Sequence, residues 1–264
     1  MKSFKILVFG DIVGAIGRKG ITTVLPELRK EFAPDLVIAN VENLSHGRGI
    51  THKSLLELDA LGIDAFTSGN HVWENAQGLS CFSDEKWKGR LIRPANVAEH
   101  LEGKGSMVIE KNGAHILIIN LLGQLFMKDA TSSAFTTFDT LLQPADLTLV
   151  DLHTEATSEK EAFGHYVDGR ATAVWGTHTH VPTADQKILP GGTAYVTDIG
   201  RNGGYDSVVG FEKNGAVQRY LGSKIKSYDP TPDGKVEVNA ILITADLETG
   251  KATALDRIRK IVDS

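Results

Sequence analysis

The chain has 264 residues, 41% of them hydrophobic and 23% charged, and a formal net charge of −5, an ordinary globular composition long enough for a substantial core. A single cysteine, Cys81, excludes an internal disulfide and a cysteine-based zinc site, so a bound metal has to be held by His, Asp, Glu or Asn. No run approaches the roughly 18 apolar residues of a membrane span, and no Lys/Arg block predicts an extended nucleic-acid footprint.

Phe4 to Phe9 is an apolar run that ends at Gly10-Asp11 and reads as a strand, too short for a leader peptide. A soluble, cytoplasmic protein is therefore expected, with one domain over residues 1–264. Arg18 to Phe32 is predicted helical, kinked or divided by Pro26. The glycines between strand and helix are spaced Gly-x-x-x-Gly-x-x-Gly and no Gly-Lys-Ser/Thr follows, which rejects dinucleotide-binding and P-loop readings. What remains is Asp11 just past a buried strand, suited to a metal, although a lone loop aspartate also serves as a turn former or helix cap.

Leu36 to Ala39 is a second apolar strand, running into Asn40-Val41-Glu42-Asn43 and then His46-Gly47. Thr51 is placed to cap a helix over Lys53 to Leu61, and Asp64 to Thr67 is a short strand ending in Ser68-Gly69-Asn70-His71. Arg93-Pro94-Ala95-Asn96 reads as a rigid turn. Lys111-Asn112-Gly113 predicts a hairpin between Met107–Glu110 and His115–Leu121. Gln124 to Ala134 reads as an irregular surface loop near a substrate mouth, and Phe135 to Leu142 as a short helix.

The strand Leu147 to Leu152 ends at His153, after which Thr157 is expected to cap a helix to about Val167, with Glu155 and Glu159 as charges favoured near its N-terminus. Ala171 to Trp175 is a further buried strand, followed by Gly176-Thr177-His178-Thr179-His180. Gln186–Leu189 and Thr193–Thr197 flank Pro190-Gly191-Gly192 as another hairpin, Asp198 to Asp206 reads as a flexible loop, and Val236 to Ala245 with a shorter partner after Gly250 closes the chain.

Ligand-type residues thus recur where a strand's carboxyl end meets a loop, the place where α/β sheets hold ligands. Taken singly, each has a bland explanation in turn chemistry; the recurrence does not. Asp11, Glu42, Asn43, Asn70, His153, His178 and His180 are too many for one tetrahedral zinc with an open position, but they suit two cations sharing a carboxylate. Glu42 is the natural bridge. Such a pair would clamp a phosphoryl group and activate a bridging water, with His71 protonating the leaving oxygen or stabilising charge. His46 is either a partner that orients a ligand or a plain loop residue, and Arg18, Arg48, Arg93, Arg170 and Arg201 are open candidates for phosphate contact.

Six blocks, Gly10-Asp11-Ile12-Val13-Gly14, Glu42-Asn43 with His46-Gly47, Gly69-Asn70-His71, Arg93 to Asn96, His153 to Lys160 and Gly176 to Val181, resemble in order and spacing the YmdB-type phosphodiesterases of the calcineurin-like metallophosphoesterase superfamily. The resemblance implies a four-layer αββα sandwich with two central mixed sheets, and a dinuclear centre, iron first with manganese or zinc as alternatives. It also implies hydrolysis of a small cyclic nucleotide, 2′,3′-cyclic nucleotides first, by a metal-bridging hydroxide with His71 as proton donor. Carried over, Asp11, Glu42 and His180 would hold one metal, and Glu42, Asn43, Asn70, His153 and His178 the other. The superfamily's usual Asp-x-His is Asp11-Ile12-Val13 here and its usual Gly-Asp is replaced by Glu42-Asn43, departures shared with the YmdB-type subgroup. A phosphomonoesterase, an RNA-end nuclease or a nucleotide- or RNA-sensing protein with weak turnover are the alternatives, and self-association stays open.

Overall fold

The apolar run at the start of the chain becomes the centre of a sheet. In the computed structural model, which describes residues 2–225 and 229–264, β1 (Ser3–Phe9) pairs in parallel with β2 (Leu36–Asn40) and antiparallel with β11 (Lys235–Asp246). β3 (Ala65–Thr67) adds beside β2, while β10 (Gly203–Gly204) and β12 (Lys251–Asp263) both pair with β11. The second sheet contains β4 (Ser106–Lys111), β5 (Ala114–Leu122), β6 (Leu147–His153), β7 (Ala173–Thr177), β8 (Lys187–Ile188) and β9 (Ala194–Val196). Its order is β4-β5-β6-β7-β9-β8, with β5, β6, β7 and β9 parallel.

Successive strand residues point to opposite faces, so continuous apolar runs mean that both faces are covered. In β1, Leu7 and Phe9 join a core with Ile21, Leu25 and Leu28 of α1 (Gly14–Phe32) and Leu55 and Leu58 of α2 (His52–Asp59). Phe4, Ile6 and Val8 point the other way, into a core with Ile116, Ile118, Leu149 and Trp175 between the two sheets. Leu117, Ile119, Val150 and Val174 pack outward on Phe138 of α3 (Ala134–Leu141) and Phe163 of α4 (Thr157–Val167). The result is the expected sandwich of helix, sheet, sheet and helix. Among the described residues, no helix is long and apolar enough to cross a membrane.

Local chemistry sets several boundaries. Thr51 caps α2 in a reciprocal box: its hydroxyl accepts the Ser54 N–H and the Ser54 hydroxyl accepts the Thr51 N–H. Asn112 and Gly113 both have positive φ, 52° and 78°, the geometry of a two-residue hairpin turn between β4 and β5.

Several expectations need correction. α1 starts at Gly14 and is one helix with Pro26 inside it; its buried face, Ile21, Val24, Leu25 and Leu28, outweighs the amide hydrogen bond that proline cannot make. The cap of α4 is Ala156, with Thr157 already helical. β12 is longer than β11, 13 residues against 12, because an edge strand with one wet face alternates charged with apolar residues and conceals its length. The stretch from Asp198 to Asn202 is buried rather than a free loop: the Asn202 amide donates to the Gly10 carbonyl and accepts from the Asn239 N–H. β10, α5 (Lys213–Tyr220) and the 3-10 helix Ala76–Phe82 had no pattern to announce them.

Candidate metal centre

Both sheets end their parallel strands at the same edge of the molecule. β1 delivers Asp11 there, β2 Glu42 and Asn43, β3 Asn70 and His71, β6 His153, and β7 His178 and His180. Ligand atoms of Asp11, Glu42 and His180 lie within 4.8 Å of one another, and so do those of Glu42, His153 and His178. Glu42 belongs to both groups. The amides extend them: Asn70 Oδ1 is 3.1 Å from His153 Nε2, and Asn43 Oδ1 is 3.2 Å from His180 Nε2. Asn43 thus lies beside His180, whereas the family resemblance would group it with Asn70, His153 and His178.

The hydrogen bonds behind the ligands fix what each presents. The Thr177 hydroxyl donates to Asp151 Oδ1 at 2.6 Å, so it accepts from His153 Nδ1 at 2.9 Å and leaves His153 Nε2 facing the site. His180 Nδ1 donates to the Val209 carbonyl at 2.7 Å, which leaves its Nε2 free. His178 Nε2 lies 3.2 Å from Glu155, turning Nδ1 inward to 3.1 Å from His153 Nε2. The Asn43 amide donates to the Gly47 carbonyl at 2.9 Å, so its oxygen points in.

Acceptors consequently face acceptors. Asn43 Oδ1 meets the lone pair of His180, and His153 Nε2 meets Asn70 Oδ1, His178 Nδ1 and, at 3.2 Å, Glu42 Oε1. Asp11 Oδ1 and Glu42 Oε1 are buried with no hydrogen-bond partner. Orphaned buried carboxylate oxygens are costly unless a cation completes them, so this donor set fits a pair of metal ions. Gly69 is part of the fit, since a Cβ there would lie 2.3 Å from both Glu42 Oε2 and His153 Nε2.

Burial and neighbouring charges act against each other on these groups. Burial opposes protonation of His153, yet Glu42 and Asp11 beside it push its imidazole up to about 9. Burial alone would raise the Glu42 carboxyl, but His153 holds it below the usual range; Asp11, for which burial wins over His153, is raised. Burial and the neighbouring His153 push His178 down to about 3, and burial also lowers His180. Neutral imidazoles are the form that metals bind.

The loop that carries the two β7 histidines is held under backbone strain, with φ of 92° at His178 and 64° at His180. Its clamp is a buried ion pair. Lys160 Nζ of α4 donates to the Thr177 carbonyl at 2.9 Å and to Asp198 Oδ2 at 2.7 Å, and the same carboxylate oxygen accepts from Thr179 N–H and hydroxyl. Asp151 performs a similar task between sheets, taking hydrogen bonds from Asn40, Thr67 and Thr177. Asn40 in turn accepts the Glu42 N–H at 3.1 Å.

His71 sits at the half-buried mouth. Its backbone N–H donates to Glu42 Oε2 at 3.0 Å, and its Nδ1 is 2.5 Å from Glu74 Oε1, leaving Nε2 for the opening. Glu74 is held by Arg48 at 3.1 Å. The other candidate cations are spent elsewhere: Arg18 on Glu57 and the Leu44 carbonyl, Arg93 on backbone carbonyls, Arg170 on Asp139, and Arg201 on Glu237 and the carbonyls of His180 and Gly204. His46 is exposed, a turn residue with φ of 52°.

Sequence reasoning overlooked Glu74, Asp151, Lys160 and Asp198. Asp151 alone left a signal, a charge inside a strand buried on both faces.

A family model described as YmdB-like protein matches residues 7–258. A 2′,3′-cyclic-nucleotide 2′-phosphodiesterase of Bacillus subtilis strain 168 is 38% identical over 257 residues, covering 96% of each chain. Among solved structures, a hypothetical protein from Thermus thermophilus superposes with a TM-score of 0.90 at 35% identity, covering 98% of this chain and 99% of that one. A structure described as a novel phosphatase, from Mycoplasma pneumoniae, gives 0.92 at 36%, covering 100% and 95%. With sequence and backbone both matched from end to end, this chain belongs to the YmdB-like family.

Proposed function

We propose that this chain is a single-domain, two-metal phosphodiesterase that hydrolyses cyclic nucleotides, 2′,3′-cyclic nucleotides first, to 3′-nucleotides. The observation that carries the reading is Glu42, a buried carboxylate common to two clusters of metal-ligand atoms. The activity for which the Bacillus subtilis relative is named supports the substrate class.

Asp11, Glu42, Asn43 and His180 would hold one cation, and Glu42, Asn70, His153 and His178 the other. Iron is proposed first on the family resemblance alone, since manganese and zinc accept the same mixed imidazole, carboxylate and amide donors. When bound, such a pair supplies Lewis-acid polarisation of the phosphoryl group and a more acidic water.

The protein's own groups do the rest. His153, His178 and His180 are locked in tautomers that aim a lone pair inward. His71, oriented by Glu74 through Nδ1, presents Nε2 at the mouth and donates its proton to the departing 2′ oxygen, so that phosphate stays on the 3′ oxygen.

The test is a side-by-side assay of the metal-loaded protein on 2′,3′-cyclic AMP, a linear dinucleotide and 3′-AMP, with products separated by chromatography. The proposal expects fastest turnover of the cyclic diester and 3′-AMP as its product. Preferred cleavage of the monoester or the dinucleotide would replace it with a phosphomonoesterase or nuclease, and tight binding without turnover with a sensor.

A further inference from the structure

Strands β5, β6 and β7 are adjacent and parallel, with Leu122 beside His153 and His153 beside Thr177. The loop that leaves β5 therefore departs from the sheet at the level of the metal ligands. Its first residues are pinned. Gly123 N–H donates to the His153 carbonyl at 3.0 Å, and a Cβ at Gly123 would collide with Thr154. Glu159 accepts the N–H groups of Gln124 and Leu125 at 2.9 and 3.1 Å and the Thr154 hydroxyl at 3.0 Å.

The next residue is Phe126. Its backbone is left-handed, with φ of 65°, and its side chain is 86% exposed. A bulky residue in that region is a genuine outlier, and an aromatic ring left in water gains nothing from packing. Strain retained on a well-anchored loop beside a reaction centre points to function rather than to folding. Leu125 on the same loop is also about half exposed. Phe126 follows Leu122, the strand neighbour of His153, by four residues, a span of at most about 14 Å.

We propose that Phe126 is a stacking platform for the nucleobase of the substrate, with Leu125 beside it. This rests on the cyclic-nucleotide reading above. A π-face recognises any base by area and polarisability rather than by hydrogen-bond pattern, so the platform predicts tolerance among bases, with purines ahead of pyrimidines.

The experiment compares the wild type, Phe126→Ala and Phe126→Trp, all loaded with manganese, on 2′,3′-cyclic AMP and on ethylene cyclic phosphate, which has the same five-membered ring and no base. The ratio of kcat/KM for the nucleotide over the base-free ester should fall at least about fivefold in Phe126→Ala, the scale of one base–aromatic stack, and the loss should lie in KM. Phe126→Trp should keep the ratio, and 3′-AMP should quench its added fluorescence. An unmoved ratio in Phe126→Ala overturns the platform, as does a change in oligomeric state on sedimentation without a change in ratio, which would assign the ring to a contact between copies. Failure of the wild type to hydrolyse either ester overturns the phosphodiesterase reading itself; turnover of both with an unmoved ratio overturns the platform alone.

Discussion

Glu42 divides its two oxygens between two tasks: Oε2 accepts the His71 backbone N–H, while Oε1 is buried without a hydrogen bond, 3.2 Å from His153 Nε2, and the residue belongs to both clusters. Glu42→Gln keeps the volume but removes the charge, and elemental analysis should find most of both metals gone from a protein whose circular dichroism is unchanged. Full retention would remove Glu42 as the bridge. His71→Asn should instead keep its metals and lose about 10²- to 10⁴-fold in kcat on a cyclic nucleotide, the range of general acid catalysis. The loss should be smaller on a p-nitrophenyl diester, whose leaving group needs no proton, and Glu74→Gln should show the same pattern more weakly. Equal losses on both esters would assign His71 to binding. The convergence of the seven candidate residues was legible because ligand-type residues recurred at strand ends; the place of Asn43 beside His180 was not, because the Gly47 carbonyl decides which way that amide turns. Glu74 was hidden for a related reason: only the turn after Asn70 brings it back onto His71.

The loop after β7 depends on α4, a helix to which the sequence assigned no such task. Lys160 lies in Thr157-Ser158-Glu159-Lys160-Glu161, a run of surface-type residues, yet it is 1% exposed and paired with a fully buried Asp198. Removing one member of such a pair strands the other's charge, at about 3–5 kcal/mol. Lys160→Met should therefore lower the melting temperature markedly and release metal more readily to a chelator; native stability would mean that Thr179 and Gly200 satisfy Asp198 on their own. Asp185 makes a different prediction. Burial favours its neutral form, but donors from Thr183 and Thr197 outweigh burial and hold its carboxyl below the ordinary 3.8. A lowered folded-state pKa gives stability that is whole above the unfolded value and vanishes as pH falls through the folded one. The stability gap between the wild type and Asp185→Asn should narrow on acidification below pH 3.8; a widening gap would reverse the sign. Runs buried on both faces made most strands legible, whereas β10, with two glycines, and the half-wet β12 offered no such pattern.

At the scale of the whole molecule, the centre is where two sheets meet end-on. The first sheet supplies Asp11, Glu42, Asn43 and Asn70, and the second His153, His178 and His180, so bound cations would join both halves of the sandwich. The αββα class was what the family resemblance implied; strands alternating with helices spoke only for an α/β chain. The hairpin pairs β4–β5 and β11–β12 could be anticipated too, but the place of β11 beside β1 could not, since that register joins opposite ends of the chain. The most direct test of the two-metal account is an anomalous-scattering map from crystals of protein purified without added metal. It should hold two peaks about 3.5–4 Å apart, one among Asp11, Glu42, Asn43 and His180 and the other among Glu42, Asn70, His153 and His178. A single peak, or peaks away from Glu42, would contradict the account.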